Sequence, residues 1–199
     1  MKIVLATNNR HKIREIKNIL SHLSVEILTL EDFPDFPEVE ETGKTFEENA
    51  ILKAKAICGV TGLPSMADDS GLEVDALDGA PGVLSSRFAG MHCSFQDNNR
   101  KLLSLMKDIP WERRGAKFIC VVVLAKDLNH IVTVKGEVRG IITFEEKGEN
   151  GFGYDPVFHL PHLNKTFAQL SLEEKNKISH RAKAFGKAKE LIQKGFLHD

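Results

Sequence analysis

The sequence predicts an α/β fold built on a mixed β-sheet, and three observations support this prediction. The first is the N-terminal run KIVLA, which is followed by a polar turn and then by apolar residues at helical spacing. The second is the segment from Lys117 to Ala125, an almost continuous apolar run that is typical of a strand at the centre of a sheet. Alternating residues from His130 to Val138 follow Asp127-Leu128-Asn129, which predicts an antiparallel partner strand. Strands that alternate with helices and also include an antiparallel pair indicate the α/β class.

The first two helices are predicted from apolar spacing and from their end signals. The first follows KIVLA, and its apolar face is formed by Ile13, Ile16, Ile19, Leu20 and Leu23. Thr45 and Glu48 have the spacing of a capping box, which predicts that a second helix begins there. The apolar face of that helix is formed by Phe46, Ala50, Ala54 and Ile57. We expect the second helix to end at Gly59, because glycine tolerates the left-handed conformation of a helix end.

Three further elements follow in order. A half-buried strand is predicted from the alternation of Leu72, Val74 and Ala76 with Glu73 and Asp75. Ser94 and Asp97 open a helix towards Met106, which cannot continue past Pro110. A last amphipathic helix is predicted from the spacing of Ile178, Ala182, Phe185 and Ile192.

Composition narrows the class of protein. With 199 residues and 42% hydrophobic content, the chain can bury a substantial core, and we expect residues 1–199 to form a single domain with two lobes. The 27 basic and 28 acidic side chains leave a net charge of -1, so no global cationic field attracts nucleic acid, and we predict no nucleic-acid partner. A polyanionic substrate must therefore meet local positive charge.

Cysteine use and hydropathy predict a soluble cytoplasmic protein. Cys58, Cys93 and Cys120 are odd in number and have no CxxC spacing, which indicates reduced thiols. No apolar run approaches the roughly 20 residues that span a bilayer, and the N-terminus becomes polar too soon for a signal peptide. We predict no membrane association.

The first segment with chemical potential is Thr7-Asn8-Asn9-Arg10-His11-Lys12, between the first strand and the first helix. Unpaired N–H groups at a helix start favour an anion, and Lys12 adds a full charge. The segment lacks the glycines of a Walker loop or a dinucleotide fingerprint. An ordinary capped turn between strand and helix is the alternative interpretation.

The second segment is acidic. Asp68 and Asp69 precede Ser70 and Gly71, and their adjacent carboxylates call for a compensating cation or proton. Mg²⁺ prefers a few carboxylate oxygens together with water and substrate phosphate. The pair Glu40-Glu41 could complete such a site. An Asp-rich surface turn around Gly71 is the alternative.

Two more segments could contact a nucleotide. The glycine-rich loop GENGFGYDP, residues 148–156, could let its backbone approach a ligand and could offer Phe152 for stacking on a base. A loop anchored by two core aromatic residues is the alternative. The stretch KNKISHR, residues 175–181, places cations around the start of the predicted last helix, where they oppose the helix dipole unless an anion is near. A solvated basic face would have the same composition.

Taken together, these segments resemble the Ham1/RdgB family of inosine and xanthosine triphosphate pyrophosphatases. The matching stretches are ATNNRHKIREI, ETGKTFEENAILKAKA, LPSMADDSGLEVDALDGAPGV, GENGFGYDPVF and SLEEKNKISHRAKA, in the family's order and over essentially the whole chain. The resemblance implies an elongated mixed sheet flanked by helices, in two lobes around a central nucleotide cleft. It also implies Mg²⁺ dependence, a homodimer, and hydrolysis of ITP, XTP and their deoxy forms to the monophosphate and pyrophosphate.

The resemblance also assigns residues by position. Asp69 matches the catalytic acid, and the metal ligands are Glu41 and Asp69, with Glu40 and Asp68 as further candidates. The nucleotide-binding positions are Thr7, Asn8, Asn9, Arg10, His11, Lys12, Lys53, Ser70, Phe152, Gly153, Tyr154, Asp155, Lys175, His180 and Arg181. In the loop, Asn8 and His11 stand where the family often carries glycine or another small residue.

Two other functions compete with this prediction. A Maf-like pyrophosphatase would perform the same chemistry on pyrimidine or modified nucleotides. A non-catalytic nucleotide-binding protein would bind ITP with Mg²⁺ and release no pyrophosphate.

Overall fold

The computed structural model describes residues 2–33, 36 and 39–197, and this part of the chain contains seven strands and five α-helices. The strands are β1 Lys2–Leu5, β2 Glu26–Thr29, β3 Ser65–Val74, β4 Gly115–Ala125, β5 Ile131–Ile142, β6 Phe158–Leu160 and β7 Lys165–Thr166. The helices are α1 Arg10–Ile19, α2 Phe46–Thr61, α3 Phe95–Leu105, α4 Leu172–Ile178 and α5 His180–Gln193.

The strands form one mixed sheet in the order β2-β1-β3-β4-β5-β6-β7. Strand β1 runs parallel to β2 and β3, whereas β6 runs antiparallel to both β5 and β7. The connection from β4 to β5, residues 126–130, is too short for a parallel crossover, and the Lys126 N–H donates to the His130 carbonyl at 3.0 Å. The predicted α/β class, the mixed sheet and the β4–β5 hairpin are therefore confirmed.

The chain divides into two compact units. The first unit comprises Met1–Asp69, Cys120–Gly136 and Arg181–Asp199, and the second comprises Ser70–Ile119 and Glu137–His180. The core of the first unit includes Ile3, Leu5, Ile16, Met66, Val122 and Phe185. The core of the second includes Leu72, Leu102, Phe118, Tyr154, Phe158 and Phe167. Apolar faces of helices thus meet strand residues within each unit, while the arrangement of two lobes around a nucleotide cleft stays a prediction.

The predicted helix starts are confirmed, but one predicted end is wrong. Thr45 Oγ1 accepts from the Glu48 N–H at 3.1 Å, and Ser94 and Asp97 form a reciprocal capping box. Helix α2 continues through Gly59 and ends after Thr61, where Gly62 adopts the left-handed conformation with φ 65°. A helix interior tolerates one glycine at a modest cost, so Gly59 does not end the helix. The helix ends instead at Gly62, the glycine that adopts positive φ.

Two other predicted elements need correction. Strand β3 runs without interruption from Ser65 through the two aspartates, so the surface turn around Gly71, which was the alternative interpretation, does not form, and the strand ends at Val74 rather than at Ala76. The predicted last helix is two helices, because Ser179 is extended (φ -66°, ψ 159°) and separates α4 from α5. Within the described ranges, no helix is long and apolar enough to cross a membrane.

Candidate functional site

The segment between β1 and α1 is a capped turn that leads into the partly buried Lys12. Asn9 Oδ1 accepts from the backbone N–H groups of His11 and Lys12 at 3.0 and 3.1 Å, and Thr7 Oγ1 accepts from the Asn9 N–H at 3.2 Å. The expectation that these N–H groups are unpaired is therefore wrong, because the cap residue takes them. Asn8, Arg10 and His11 are exposed. Positive charge directed inward comes from the side chain of Lys12.

Asp68 is the fully buried acid of the first unit. Its Oδ2 lies 2.9 Å from Lys12 Nζ and 3.9 Å from Arg181 Nη2. Burial alone would raise the pKa of Asp68, but the charges of Lys12, Arg181 and Lys53 lower it to about 2. Asp68 is therefore an ionised acid held between cations. Full burial and the pairing with Lys12 make Asp68 the weaker of the two aspartates as a metal ligand.

Asp69 belongs to a different cluster, because successive side chains of a strand point to opposite faces. Asp69 Oδ1 lies 3.3 Å from Lys53 Nζ, and the same ammonium group lies 2.7 Å from Glu41 Oε1. Burial, together with the charges of Glu41 and Asp68, raises the pKa of Asp69 against the opposing effect of Lys53 and Lys12. The predicted repulsion between Asp68 and Asp69 is therefore present, and cations compensate it, with Lys12 paired to Asp68 and Lys53 paired to Asp69.

Lys53 joins the two acids that the sequence placed in separate segments. Burial lowers the pKa of Lys53, but the charges of Asp69, Asp68 and Glu41 outweigh burial and raise it. Of the pair Glu40-Glu41, the structure ties Glu41 to this cluster, whereas Glu40 is exposed. The sequence-predicted residues Glu41, Lys53 and Asp69 thus come together in the first unit.

The sequence analysis missed Asn49, which also contacts Asp69. Asn49 is buried in α2, and its Nδ2 donates to Asp69 Oδ2 at 3.3 Å. It precedes Lys53 by four residues, so both side chains project from one face of the helix. The available signal was two polar residues four apart that adjoin the apolar face formed by Phe46, Ala50, Ala54 and Ile57.

A second missed residue is Glu15, whose Oε2 accepts from Arg181 Nη1 at 2.6 Å. Both side chains are buried. Burial alone would lower the pKa of Arg181, but the charges of Glu15 and Asp68 raise it. Arg181, predicted as a nucleotide contact, is placed in an internal ion pair. Glu15 and Arg181 are far apart in sequence, so no local pattern links them.

The glycine-rich loop and α4 meet in the second unit. Asp155 is buried, and its Oδ2 accepts from the Phe152 N–H at 2.8 Å and from Lys175 Nζ at 2.5 Å. Lys175 Nζ also lies 4.8 Å from the centre of the Phe152 ring. Gly151 has φ +74°, and a Cβ there would overlap the Asp155 carboxylate, so this position requires glycine. The predicted residues Phe152, Asp155 and Lys175 therefore form one cluster.

Two other loop residues are engaged with the protein itself. Tyr154 belongs to the core, its hydroxyl donates to the Ser85 carbonyl at 2.9 Å, and burial raises its pKa. The Gly153 carbonyl accepts from Asn99 Nδ2 at 3.2 Å. The structural alternative for this loop thus holds at Tyr154, while Phe152 is only partly buried and sits beside the ammonium of Lys175.

His180 lies in an aromatic setting in the same unit. Its ring stacks on Phe118, with centres 4.6 Å apart and an interplanar angle of 9°, and Phe167 lies 6.3 Å away. The expectation that Lys175 stands at the start of the final helix is wrong, because Lys175 occupies the last turn of α4. A cation there is favoured by the helix dipole, and the buried ammonium of Lys175 is already paired with the Asp155 carboxylate. Ser70, by contrast, is a partly buried residue of β3.

Comparison with known proteins agrees with this arrangement. The Ham1 family model matches residues 3–191. The chain is similar to the dITP/XTP pyrophosphatase of Desulforamulus reducens, with 50% identity over 198 residues, 100% of this chain and 98% of that protein. It is also 50% identical over 191 residues to the dITP/XTP pyrophosphatase of Geobacter sulfurreducens, covering 96% of each chain.

Solved structures agree as well. A HAM1 protein from Coxiella burnetii superposes with a TM-score of 0.91 at 40% identity, covering 98% of this chain and 100% of that one. The Ham1 protein of Staphylococcus aureus gives a TM-score of 0.87 at 43% identity, covering 98% and 99%. Family model, full-length identity and fold coincide, and the chain belongs to the Ham1 family.

Proposed function

We propose that this protein hydrolyses non-canonical purine nucleoside triphosphates, namely ITP, XTP and their deoxy forms, to nucleoside monophosphate and pyrophosphate. The observation that carries the proposal is the cluster of Glu41, Lys53 and Asp69, two acids bridged by one lysine, in a chain half identical over its full length to dITP/XTP pyrophosphatases. The same relatives favour this purine substrate over the pyrimidine nucleotides of a Maf-like enzyme.

Glu41 and Asp69 fit a magnesium site by the chemistry of their donors. Both offer carboxylate oxygens, and both already hold a shared cation, the ammonium group of Lys53. Within the described residues, no group of three or more acidic, histidine or cysteine side chains is arranged to hold a metal. That is compatible with Mg²⁺, which is commonly bound by one or two carboxylates together with water and substrate phosphate. When bound, Mg²⁺ would mask phosphate charge and polarise the reacting phosphorus centre.

Asp69 is assigned as the group that orients or deprotonates the attacking water. Its carboxylate, held by Lys53 and Asn49, lies in the cluster that would hold the metal and can accept a hydrogen bond from that water. Lys12 and Lys53 are assigned to the triphosphate, since both ammonium groups are paired with acids and can exchange that pairing for phosphate oxygens. The water attacks the α-phosphorus, and pyrophosphate leaves with its electron pair.

Phe152, Asp155 and Lys175 are assigned to the nucleoside. The half-buried ring of Phe152 can stack on a purine. Asp155 accepts from the Phe152 N–H, and the Lys175 ammonium lies over the Phe152 ring, so both residues hold this loop in place. His180, stacked on Phe118, is assigned to the 6-oxo edge of the base.

The oligomeric state and the location of the enzyme in the cell are also part of this proposal. We infer a homodimer from the family resemblance, and sedimentation of the purified chain tests it. We also infer that the enzyme works in the cytoplasm, which the three free thiols of Cys58, Cys93 and Cys120 support, because disulfides are rare there.

The experiment is a substrate panel. Pyrophosphate release is measured from ITP, dITP, XTP, dGTP, dATP and dTTP, with Mg²⁺ and with a chelator. We expect release from the inosine and xanthosine nucleotides in the presence of Mg²⁺ and much slower release from the adenine and thymine nucleotides. Preference for dTTP would favour the Maf-like function, and ITP binding without any release would favour a non-catalytic protein.

A further inference from the structure

Asn49 links the segment that carries Glu41 to the strand that carries Asp69. Its Oδ1 accepts from the Gly43 N–H at 2.7 Å, and its Nδ2 donates to Asp69 Oδ2 at 3.3 Å. The side chain is 1% exposed, so both bonds are made away from water, where a missing partner is costly. One neutral amide therefore fixes the distance between residues 41–43 and β3.

Lys53 makes a parallel link, but the two links differ in how they respond to a divalent cation. The ammonium of Lys53 lies between Glu41 and Asp69, and a metal ion bound by the same oxygens would repel it. The amide of Asn49 carries no net charge and contacts the other oxygen of Asp69, Oδ2 rather than Oδ1. It can keep both hydrogen bonds while the lysine moves away.

We propose that Asn49 is a positioning residue that holds Glu41 and Asp69 at the spacing a divalent cation requires. This inference rests on the proposed function. Groups that orient metal ligands without touching the metal commonly change metal affinity by about 10- to 100-fold when they are removed. A purely structural Asn49 would change stability instead.

The chain offers a matched control in Asn98, a buried asparagine of α3 in the second unit. Its Oδ1 accepts from the Ala89 N–H at 2.7 Å, and its Nδ2 donates to the Ser86 carbonyl at 3.2 Å. It braces a loop as Asn49 does, but its amide donates to a backbone carbonyl rather than to a metal-ligand acid. Asn98 Oδ1 also accepts from Cys93 Sγ at 3.3 Å. Asn49→Ala and Asn98→Ala each remove one bond from a backbone N–H and one bond donated by the amide.

The experiment titrates Mn²⁺ into each protein with a non-hydrolysable ITP analogue present, and free Mn²⁺ is followed by electron paramagnetic resonance. Urea unfolding of each variant is measured alongside. We expect Asn49→Ala to weaken Mn²⁺ binding about 10- to 100-fold, and Asn98→Ala to lose stability while binding Mn²⁺ like the wild type. Unchanged Mn²⁺ affinity in folded Asn49→Ala, or an equal loss in both variants, would overturn the inference.

A second variant perturbs the hydrogen bond between Gly43 and Asn49 by changing Gly43 instead of Asn49. A Cβ at Gly43 would lie 2.6 Å from Asn49 Oδ1 and 2.7 Å from Glu48 Cβ, so Gly43→Ala must displace the segment although it replaces none of the candidate metal ligands. We expect the same loss of Mn²⁺ affinity, and this variant decides the matter if Asn49→Ala does not fold.

Pyrophosphate release from ITP by the wild type is measured separately. Its absence would refute the proposed function, whereas normal release with unaltered Mn²⁺ binding in the variants would refute only the role of Asn49.

Discussion

Replacing Asp68 by asparagine removes the charge of a fully buried acid and keeps its shape. In the wild type, Lys12 and Arg181 face this carboxylate at 2.9 and 3.9 Å. The pKa of Asp68 falls from 3.8 to about 2 on folding, so the folded state holds its proton less tightly than the unfolded chain does. Asp68 therefore contributes stability above its unfolded pKa, and that contribution is lost as the pH falls through its folded pKa.

The size of the effect follows from the shift in pKa. A lowering from 3.8 to about 2 corresponds to about 2 kcal/mol of unfolding free energy. The whole of this contribution is present at neutral pH. The difference in stability between the wild type and Asp68→Asn should therefore shrink by about 2 kcal/mol between about pH 5 and about pH 2.

The assay is urea unfolding of both proteins across this pH range, followed by circular dichroism. The single tryptophan, Trp111, lies in the second unit, so its fluorescence would not report directly on the unit that contains Asp68. Asp127→Asn is the control, because Asp127 also has a pKa of about 2 but is half-exposed and held by hydrogen bonds of a hairpin turn. Solvent screening should make its pH-dependent effect smaller. A constant or widening difference for Asp68→Asn would refute the assignment of Asp68 as an ionised, cation-held acid.

Three further variants test other parts of the account. Asp69→Asn should bind ITP yet lose about 10²- to 10⁴-fold in turnover, and full activity would remove Asp69 from catalysis. Phe152→Ala should raise KM by the equivalent of about 1 to 3 kcal/mol with a smaller change in kcat, and an unchanged KM would remove Phe152 from the base site. Glu15→Gln should lower the free energy of unfolding by about 3 kcal/mol, because it removes the buried negative charge that lies 2.6 Å from Arg181 Nη1, and urea unfolding like that of the wild type would contradict this reading of the ion pair.

Elements whose signals are local could be predicted from the sequence. The starts of α2 and α3 follow from Thr45 and Ser94, whose side chains bond to N–H groups three residues away. The hairpin between β4 and β5 follows from apolar runs on either side of a short polar turn. The break between α4 and α5 at Ser179 was not predicted. Ser171 and Glu174 form a capping box, which indicates that a separate helix begins there. Apolar spacing continued across the break and masked it.

The acidic part of the site shows where local reasoning fails. Asp, Ser and Gly in succession are typical of a turn, yet residues 68–71 lie inside a strand. Lys12 and Lys53 make this possible by neutralising the buried carboxylates, and both lysines come from distant segments. The family resemblance supplied Glu41 and Asp69, but Asn49 stayed hidden because its partners are defined only by tertiary structure.

The central claim is that water attacks the α-phosphorus of a purine nucleoside triphosphate. Hydrolysis of dITP with Mg²⁺ in heavy-oxygen water, with both products examined by mass spectrometry, tests this directly. The account predicts that the label enters dIMP and that pyrophosphate stays unlabelled. Label in pyrophosphate or in inorganic phosphate, or formation of dIDP, would contradict it.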